Sequence, residues 1–121
     1  MQYACLLYFD PTVVFNGSPE GEAVLRDTGR FDTELKASGV KVAGHALQLP
    51  QSAMTVKVRD GAMSATDGPF MEAKEMLGGI IIIEARDLND AARIAAGIPY
   101  ARVGAVEIRP LVDYSKPRPK L

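Results

Sequence analysis

Ile80-Ile81-Ile82-Ile83 is a run of four β-branched residues with no polar position in it. A strand of this composition has no side suited to solvent, so we expect it in the centre of a sheet with apolar cover on both faces. The longer apolar run that contains it, residues 76–83, is far below the ~20 residues that cross a bilayer. No membrane span is therefore expected.

One strand and one helix are predicted ahead of this run. Residues 2–9 are apolar and aromatic and read as a buried strand, which Asp10-Pro11 ends; a loop from Thr12 to Gly17 follows. Ser18 has the position of a helix N-cap before Pro19 and an acidic first turn. Gly39 suits the left-handed residue after the helix end. The inner stripe of the helix is Val24, Thr28, Phe31 and Leu35.

A second strand and a hairpin are predicted between this helix and the isoleucine run. Residues 40–49 read as a strand broken by Gly44, which is a candidate bulge. Residues 55–59 alternate, and Asp60-Gly61 is a strong signal for a two-residue turn into a partner strand at 62–66. Asp67-Gly68-Pro69 ends that strand. Residues 70–75 form a short polar connection with at most one helical turn.

A second helix and a final strand follow the isoleucine run. Asp87 and Asp90 open the helix, and Gly97 with Pro99 closes it. Residues 103–108 are the last strand, ended by Pro110. The inner stripe of this helix is predicted as Leu88, Ala91, Ala92 and Ala95.

This order of elements predicts an α+β fold. It is the ferredoxin-like split βαβ plan, with a hairpin inserted before the third main strand. Two helices cover only one face of such a sheet, whereas the isoleucine run calls for cover on both. We therefore expect a homodimer in which two sheets pack face to face. The single domain spans residues 1–112, and residues 113–121 form a basic, proline-containing tail that suits a mobile segment.

Length, charge and cysteine content narrow the class of protein. The 121 residues fit one domain. A formal net charge of −1 argues against a nucleic-acid partner, which calls for a basic face. Cys5 is the single cysteine, which excludes an intramolecular disulfide and suits a reducing compartment. The N-terminus lacks a basic n-region, so the expected location is the cytoplasm.

The stretch Asp67-Gly68-Pro69-Phe70, with its sequel Glu72-Ala73-Lys74-Glu75, resembles the DGPF branch of the YCII-related family. The resemblance extends over nearly the whole chain, through Leu77-Gly78-Gly79 to Glu107-Ile108-Arg109-Pro110. It implies a ferredoxin-like subunit that pairs into a dimeric α+β barrel, in agreement with the uncovered face inferred above.

The functional record of the family is thin. Some relatives are enzymes acting on small molecules, and one is a dehydrochlorinase of a chlorinated hydroxyquinol with a suspected His and Asp pair. Many DGPF-type members have no assigned reaction, and some are encoded beside extracytoplasmic-function sigma factors. His45 departs from the DGPF pattern, in which an acidic or amide residue is common near this point.

His45 is the only histidine and has the one side chain with an unperturbed pKa near neutrality. On a regular strand it shares a face with Ala43 and lies opposite Val40 and Val42, which would take the helix-covered side. It would then face the space between two sheets and act as a general base if Asp67 oriented it. The alternatives are a structural histidine and an Asp67 that caps its own turn.

Four further residues are candidates to line a ligand site, namely Tyr8, Phe70, Lys74 and Arg109. Phe70 suits a planar ligand or a packing anchor, and Lys74 suits an anion or a solvated face. One His and one Cys are too few for a zinc site, and no phosphate-binding glycine motif occurs. No metal or cofactor is therefore expected.

Two functions stay open from the sequence. The first is a small-molecule enzyme using His45 and Asp67 for proton transfer on a small, aromatic or hydroxylated substrate. The second is a non-catalytic ligand-binding or regulatory dimer, with a link to extracytoplasmic-function sigma factors. Convergence of His45 and Asp67 on an apolar cavity favours the first.

Overall fold

A computed structural model describes residues 1–118 and Lys120. Pro119 and Leu121, at the end of the predicted tail, lie outside the described residues. The elements, in chain order, are β1 (Gln2–Phe9), α1 (Pro11–Val14), α2 (Pro19–Ala37), β2 (Lys41–Ala46), β3 (Met54–Arg59), β4 (Ala62–Asp67), β5 (Met76–Glu84), α3 (Leu88–Ala95) and β6 (Gly104–Pro110). Two 3-10 turns, Pro50–Ser52 and Pro99–Arg102, precede β3 and β6.

Four strands form one antiparallel sheet in the order β2-β5-β1-β6. This is the ferredoxin-like arrangement, and it confirms the predicted α+β class. The isoleucine run lies in β5, between β1 and β2, so its central position is also confirmed. β3 and β4 pair only with each other in a separate two-stranded sheet. Their turn has positive φ at Asp60 (52°) and Gly61 (76°), as a tight hairpin turn requires.

Both long helices pack on the same face of the sheet. The core brings together Tyr3, Cys5 and Leu7 of β1 with Ile83 of β5 and with residues of α2 and α3. Ile83 and Cys5 are 0 % exposed. At the other end of β1, Phe9 stacks on Tyr100, with ring centroids 4.4 Å apart. The predicted stripe of α2 is confirmed, since Val24 and Leu35 are buried and Thr28 and Phe31 are half-buried.

The start of α2 follows from its capping residues. The Ser18 hydroxyl accepts a hydrogen bond from the Gly21 amide at 3.1 Å. Residues 11–14 ahead of it form the short helix α1, so the predicted loop from Thr12 to Gly17 was wrong in that part. The Asp10 carboxylate caps this turn by accepting from the Thr12 amide at 2.9 Å. Backbone of Val14 touches α2 at Gly21, where a side chain would overlap the Val14 carbonyl.

The inner stripe of α3 differs from the prediction. Ala91 and Ala95 are buried, whereas Leu88 and Ala92 are exposed. Ile94 packs against the core in place of the two exposed residues. The helix is rotated so that small alanines meet the sheet, which the sequence pattern alone did not distinguish from a stripe centred on Leu88.

Strand β2 is shorter and irregular at a different point than predicted. It ends at Ala46, and the register shift lies between Lys41 and Ala43 rather than at Gly44. Val42 is exposed instead of helix-covered, because the bulge gives the helix-facing position to Lys41, whose ammonium contacts Asp32 of α2. Residues 70–75 contain bends and no helical turn.

Candidate functional site

Three of the predicted site residues share the face of the sheet that the helices leave open. The strand register pairs His45 with Ile80, and Ile80 with Leu6; these positions alternate with the core residues of the same strands. Tyr8 lies two residues along β1 from Leu6 and is half-buried. Arg109 pairs with Ala4, and its guanidinium lies 3.4 Å from Glu107. This open face is apolar at its centre and polar at its edges.

Asp67 does not belong to the strands that form this face. It is the last residue of β4, in the separate hairpin sheet, and it is exposed. The turn after it is held by the Gly68 amide, which donates to the Ala53 carbonyl at 2.8 Å, and by the Thr55 hydroxyl, which donates to the Gly68 carbonyl at 2.8 Å. Over the described residues, neither the Asp67 carboxylate nor the His45 imidazole makes a hydrogen bond.

Phe70 and Lys74 belong to the connection after the hairpin rather than to the open face. The Phe70 ring is 72 % exposed, and the Lys57 ammonium lies 5.3 Å from its centroid. Lys74 lies close enough to Asp10 to contribute to its electrostatics. The pKa of Asp10 is lowered chiefly by the hydrogen bonds from the hydroxyl and amide of Thr12, and in part by the charge of Lys74. The six predicted residues thus divide into two groups of three.

A cavity of about 310 Å³ lies between α2 and the sheet, and sequence reasoning missed it. It extends from strands β2 and β5 to the turn after α3, and His45 borders it at the sheet edge. Its volume is at the lower end of the range for small-molecule sites. The side chains that give it its character are Leu7, Thr28, Phe31, Asp32, Lys41 and Tyr100.

The cavity exists because the sheet lacks large side chains at this point. Gly44 pairs with Ile81, which faces the core, and Gly79 pairs with both Leu7 and Ala46. Residues that pair directly across antiparallel strands point to the same face. The patch under α2 therefore presents two glycines and an alanine, next to the larger side chains of Ile81 and Leu7 in the same rows.

A charged cluster flanks the cavity. The Asp32 carboxylate contacts the Lys41 ammonium and lies 3.0 Å from the Lys36 ammonium. Hydrogen bonds from Lys41 and then from Lys36 lower the pKa of Asp32. Lys41 is only 11 % exposed, so its charge acts where water screens poorly. Two ammonium groups and one carboxylate leave one excess positive charge in this cluster.

One feature of the sequence indicates this site. Lys41 is a charged residue between Val40 and Val42, and it precedes Ala43 and Gly44 by two and three residues. A lysine at a helix-facing position needs a carboxylate partner, and Asp32 lies between the stripe positions Phe31 and Leu35 on α2. What the sequence could not show is that Gly79, far along the chain, lies opposite Ala46.

The hairpin carries a second exposed apolar surface. Cross-strand pairs Val56–Ala65 and Val58–Met63 lie on one face together with Met54. Met54, Val56, Val58 and Met63 are each more than half exposed. These side chains give the hairpin one mostly apolar, exposed face.

The remaining chemistry is limited over the part of the chain that the structure describes. No group of three His, Cys, Asp or Glu side chains is arranged to hold a metal ion. Cys5 is buried, and burial raises the pKa of its thiol to about 11, so this thiol is a packing group rather than a nucleophile. Among the same residues, no helix combines the length and hydropathy needed to cross a membrane.

Comparison with known proteins adds the family. The model of the YCII-related domain matches residues 1–115. The chain belongs to the YCII-related family. The match includes every strand and helix of this YCII-related protein among the described residues, and it confirms the family expected from residues 67–70 and their surroundings.

One curated relative of this YCII-related protein is similar over almost its full length. It is "Uncharacterized protein R00369" of Rhizobium meliloti (strain 1021), which is 34% identical over 118 residues. The alignment covers 94% of each chain. This relative supports the family, and its name carries no activity.

Proposed function

We propose that this YCII-related protein binds a small molecule in the cavity between α2 and the sheet. The observation that carries the proposal is a cavity of about 310 Å³ with the charged cluster of Asp32, Lys36 and Lys41 at its edge. Apolar walls with a few convergent polar groups are the usual composition of a small-molecule site. Packed helix–sheet interfaces have few voids. The cavity in this interface results from glycines on two strands.

The charges and hydrogen-bonding groups indicate the class of ligand. Lys41 has three N–H donors and uses one on Asp32, so it can donate to a ligand anion. The Thr28 hydroxyl already donates to the Val24 carbonyl at 2.7 Å, so its oxygen is left to accept from a ligand hydroxyl. Phe31 and Tyr100 supply aromatic walls. The ligand is a small molecule with an apolar body and one negative charge, such as an aromatic carboxylate or phenolate that carries a hydroxyl group.

Calorimetric titration with salicylate and with the neutral salicylamide tests this proposal. Salicylate is expected to bind, and salicylamide to bind at least about tenfold more weakly, because a desolvated charge-assisted hydrogen bond contributes about 1.5–3 kcal/mol. Lys41→Met, which keeps the aliphatic stem, should remove most of this difference. Equal binding of the two compounds to the wild type would contradict the proposed ligand class.

Gly29 offers a matched pair of variants for locating the site. It borders the cavity, and a Cβ built on it meets no atom within 4 Å. Gly29→Leu should obstruct the cavity and abolish salicylate binding, whereas Gly29→Ala should retain it. If both variants bind salicylate like the wild type, the ligand lies elsewhere and the cavity is not the site.

We further propose that two copies of this protein of the DGPF type pair through the open face. The support is physical: Ile80, Ile82 and Leu6 form an apolar centre that the helices do not cover. A dimeric α+β barrel would bury this centre on both copies. Sedimentation at micromolar concentration measures it, and a monodisperse monomer would refute it.

A second candidate function is proton transfer by His45. The observation in its favour is that the imidazole lies on the open face beside the apolar Ile80, with no hydrogen bond to a described residue. Asp67 is the carboxylate that the sequence proposes for it, and a dimer would provide the space between sheets in which they meet. Tyr8 and Arg109 would line that space, and Phe70 and Lys74 would line its mouth.

NMR titration of the single imidazole tests this pair. A carboxylate within hydrogen-bond reach favours the imidazolium, so Asp67→Asn should move the titration midpoint of His45 to lower pH while the dimer persists. An unchanged midpoint would end the Asp67 pairing. The alternative that the sequence leaves open is a non-catalytic ligand-binding or regulatory dimer, with a link to extracytoplasmic-function sigma factors as its regulatory form.

A further inference from the structure

The open face is organised in two straight rows that run across all four strands. One row is His45, Ile80, Leu6 and Glu107, from β2 to β6. The next row is Ala43, Ile82, Ala4 and Arg109. Neighbouring strands are ~4.8 Å apart and the row crosses three such spacings, so the backbones of His45 and Glu107 in one chain are separated by about 14 Å. They cannot meet within a single copy.

The two ends of these rows differ in size and charge. The β2 end carries the imidazole of His45 and the methyl group of Ala43. The β6 end carries two long charged side chains, Glu107 and Arg109, which lie 3.4 Å apart and are 49% and 70% exposed. The side chains at the β2 edge are therefore short and include an imidazole. Those at the β6 edge are long and include a carboxylate that can accept a further hydrogen bond.

A two-fold dimer can cover this face in two ways. If the axis runs across the strands, β6 stacks on the partner's β6. Four long charged side chains then crowd the β6 edge, and the short residues of β2 leave a gap at the other edge. If the axis runs along the strands, each β6 lies over a β2. Sheets pack at a nearly uniform separation of ~10 Å, and close packing calls for large residues opposite small ones.

We propose that the second copy covers the open face with its edges reversed, so that the partner's Glu107 lies over His45 and the partner's Arg109 lies over Ala43. This inference rests on the dimer proposed above and adds the orientation and the partner residue. The Glu107 carboxylate accepts a hydrogen bond from the imidazole of the other copy. The same contact occurs twice, as an isologous interface requires. His45 thereby gains a carboxylate that its own chain cannot supply from the sheet.

Site-directed cross-linking tests the arrangement. The double variant His45→Cys with Glu107→Cys, treated with a short bis-maleimide, should migrate mostly as a covalent dimer on a denaturing gel. The single variants His45→Cys and Glu107→Cys should give no more dimer than the wild type. Cys5 does not interfere because it is buried at 0 % exposure. The pair Ala43→Cys with Arg109→Cys, in the neighbouring row, repeats the test should the first pair fold poorly.

Sedimentation of the same variants separates the two ways of failing. A dimer in solution that cross-links through either single variant has like edges stacked, which overturns the proposed orientation and leaves the dimer standing. A dimer that does not cross-link in either double variant also overturns it. A monomer in every sample overturns the dimer itself, and with it this inference.

Discussion

The two faces of the four-stranded sheet are built from the same strands and differ in what covers them. On β1, the side chains of Tyr3, Cys5 and Leu7 pack in the core under α2 and α3. Those of Ala4 and Leu6 lie on the open face. The covered face is closed except where Gly44 and Gly79 leave a cavity. The open face is apolar at its centre, at Leu6, Ile80 and Ile82, and the helices do not cover it. Side-chain alternation thus gives one sheet two sites of different kinds: a pocket and a proposed contact surface.

The sharpest test of this contrast is a charge at neighbouring positions of β5. Ile83 is 0 % exposed in the core, whereas Ile82 is half-buried on the open face. Ile83→Asp should unfold the protein, because an unpaired buried charge costs several kcal/mol, a large part of a typical stability of 5–15 kcal/mol. Ile82→Asp should leave a folded monomer. Circular dichroism and sedimentation measure the two outcomes.

The outcome for Ile82→Asp can also go the other way. A variant that stays dimeric with an unchanged melting temperature would show that the open face is not the contact surface. One that unfolds like Ile83→Asp would show that the two faces contribute alike to the stability of the single chain.

A smaller effect is expected from Gly78, the extra residue of the bulge between β1 and β5. A Cβ there would overlap the ring of Phe9, which is buried and stacked on Tyr100. Gly78→Ala should lower the free energy of unfolding by about 1–3 kcal/mol, as overpacking of a core does. Urea denaturation measures the change. Gly79→Ala is the matched control, because its nearest contact would be at 3.4 Å and the cavity has room.

On the covered face, beside the cavity, a substitution of Gly29 is expected to increase stability. This glycine lies in the interior of α2 with open space where a side chain would be. Gly29→Ala should raise the free energy of unfolding by about 0.5–1 kcal/mol, since alanine loses less backbone freedom in a helix. A loss of stability in urea denaturation would mean that the α2 backbone at this point is constrained by contacts with the cavity.

The smallest effect concerns acid and the ion cluster beside the cavity. The pKa of Asp32 is lowered in the folded state by Lys41 and Lys36. Its contribution to stability is therefore present above the unfolded pKa of about 4 and is lost as pH falls through the lower folded pKa. Asp32→Asn should be less stable than the wild type at pH 6, and the difference should shrink towards pH 2. A difference independent of pH would assign the cluster a packing role only.

Elements set by local signals were predicted well. Ser18 caps α2, Asp87 caps α3 by accepting from the Asp90 amide at 2.8 Å, and Asp60-Gly61 makes the hairpin turn. In each case a few adjacent residues fix backbone hydrogen bonds or dihedral angles. The errors fall where a distant residue decides. The bulge of β2 moved to Lys41 because Asp32 attracts that side chain, and Leu88 lies outside the core because the alanines of α3 pack closer.

The sequence by itself determined the order of the strands with α2 and α3, the central place of the isoleucine run and the family. These depend on periodicity, caps, turns and a motif, all of which are local in the chain. Only the tertiary structure decided that Gly44, Ala46 and Gly79 share one patch, that Lys41 meets Asp32 beside a cavity, and that His45 and Glu107 end the same row. Each of these depends on strand register and helix placement. Register joins residues far apart in the chain, so no local pattern encodes which of them become neighbours.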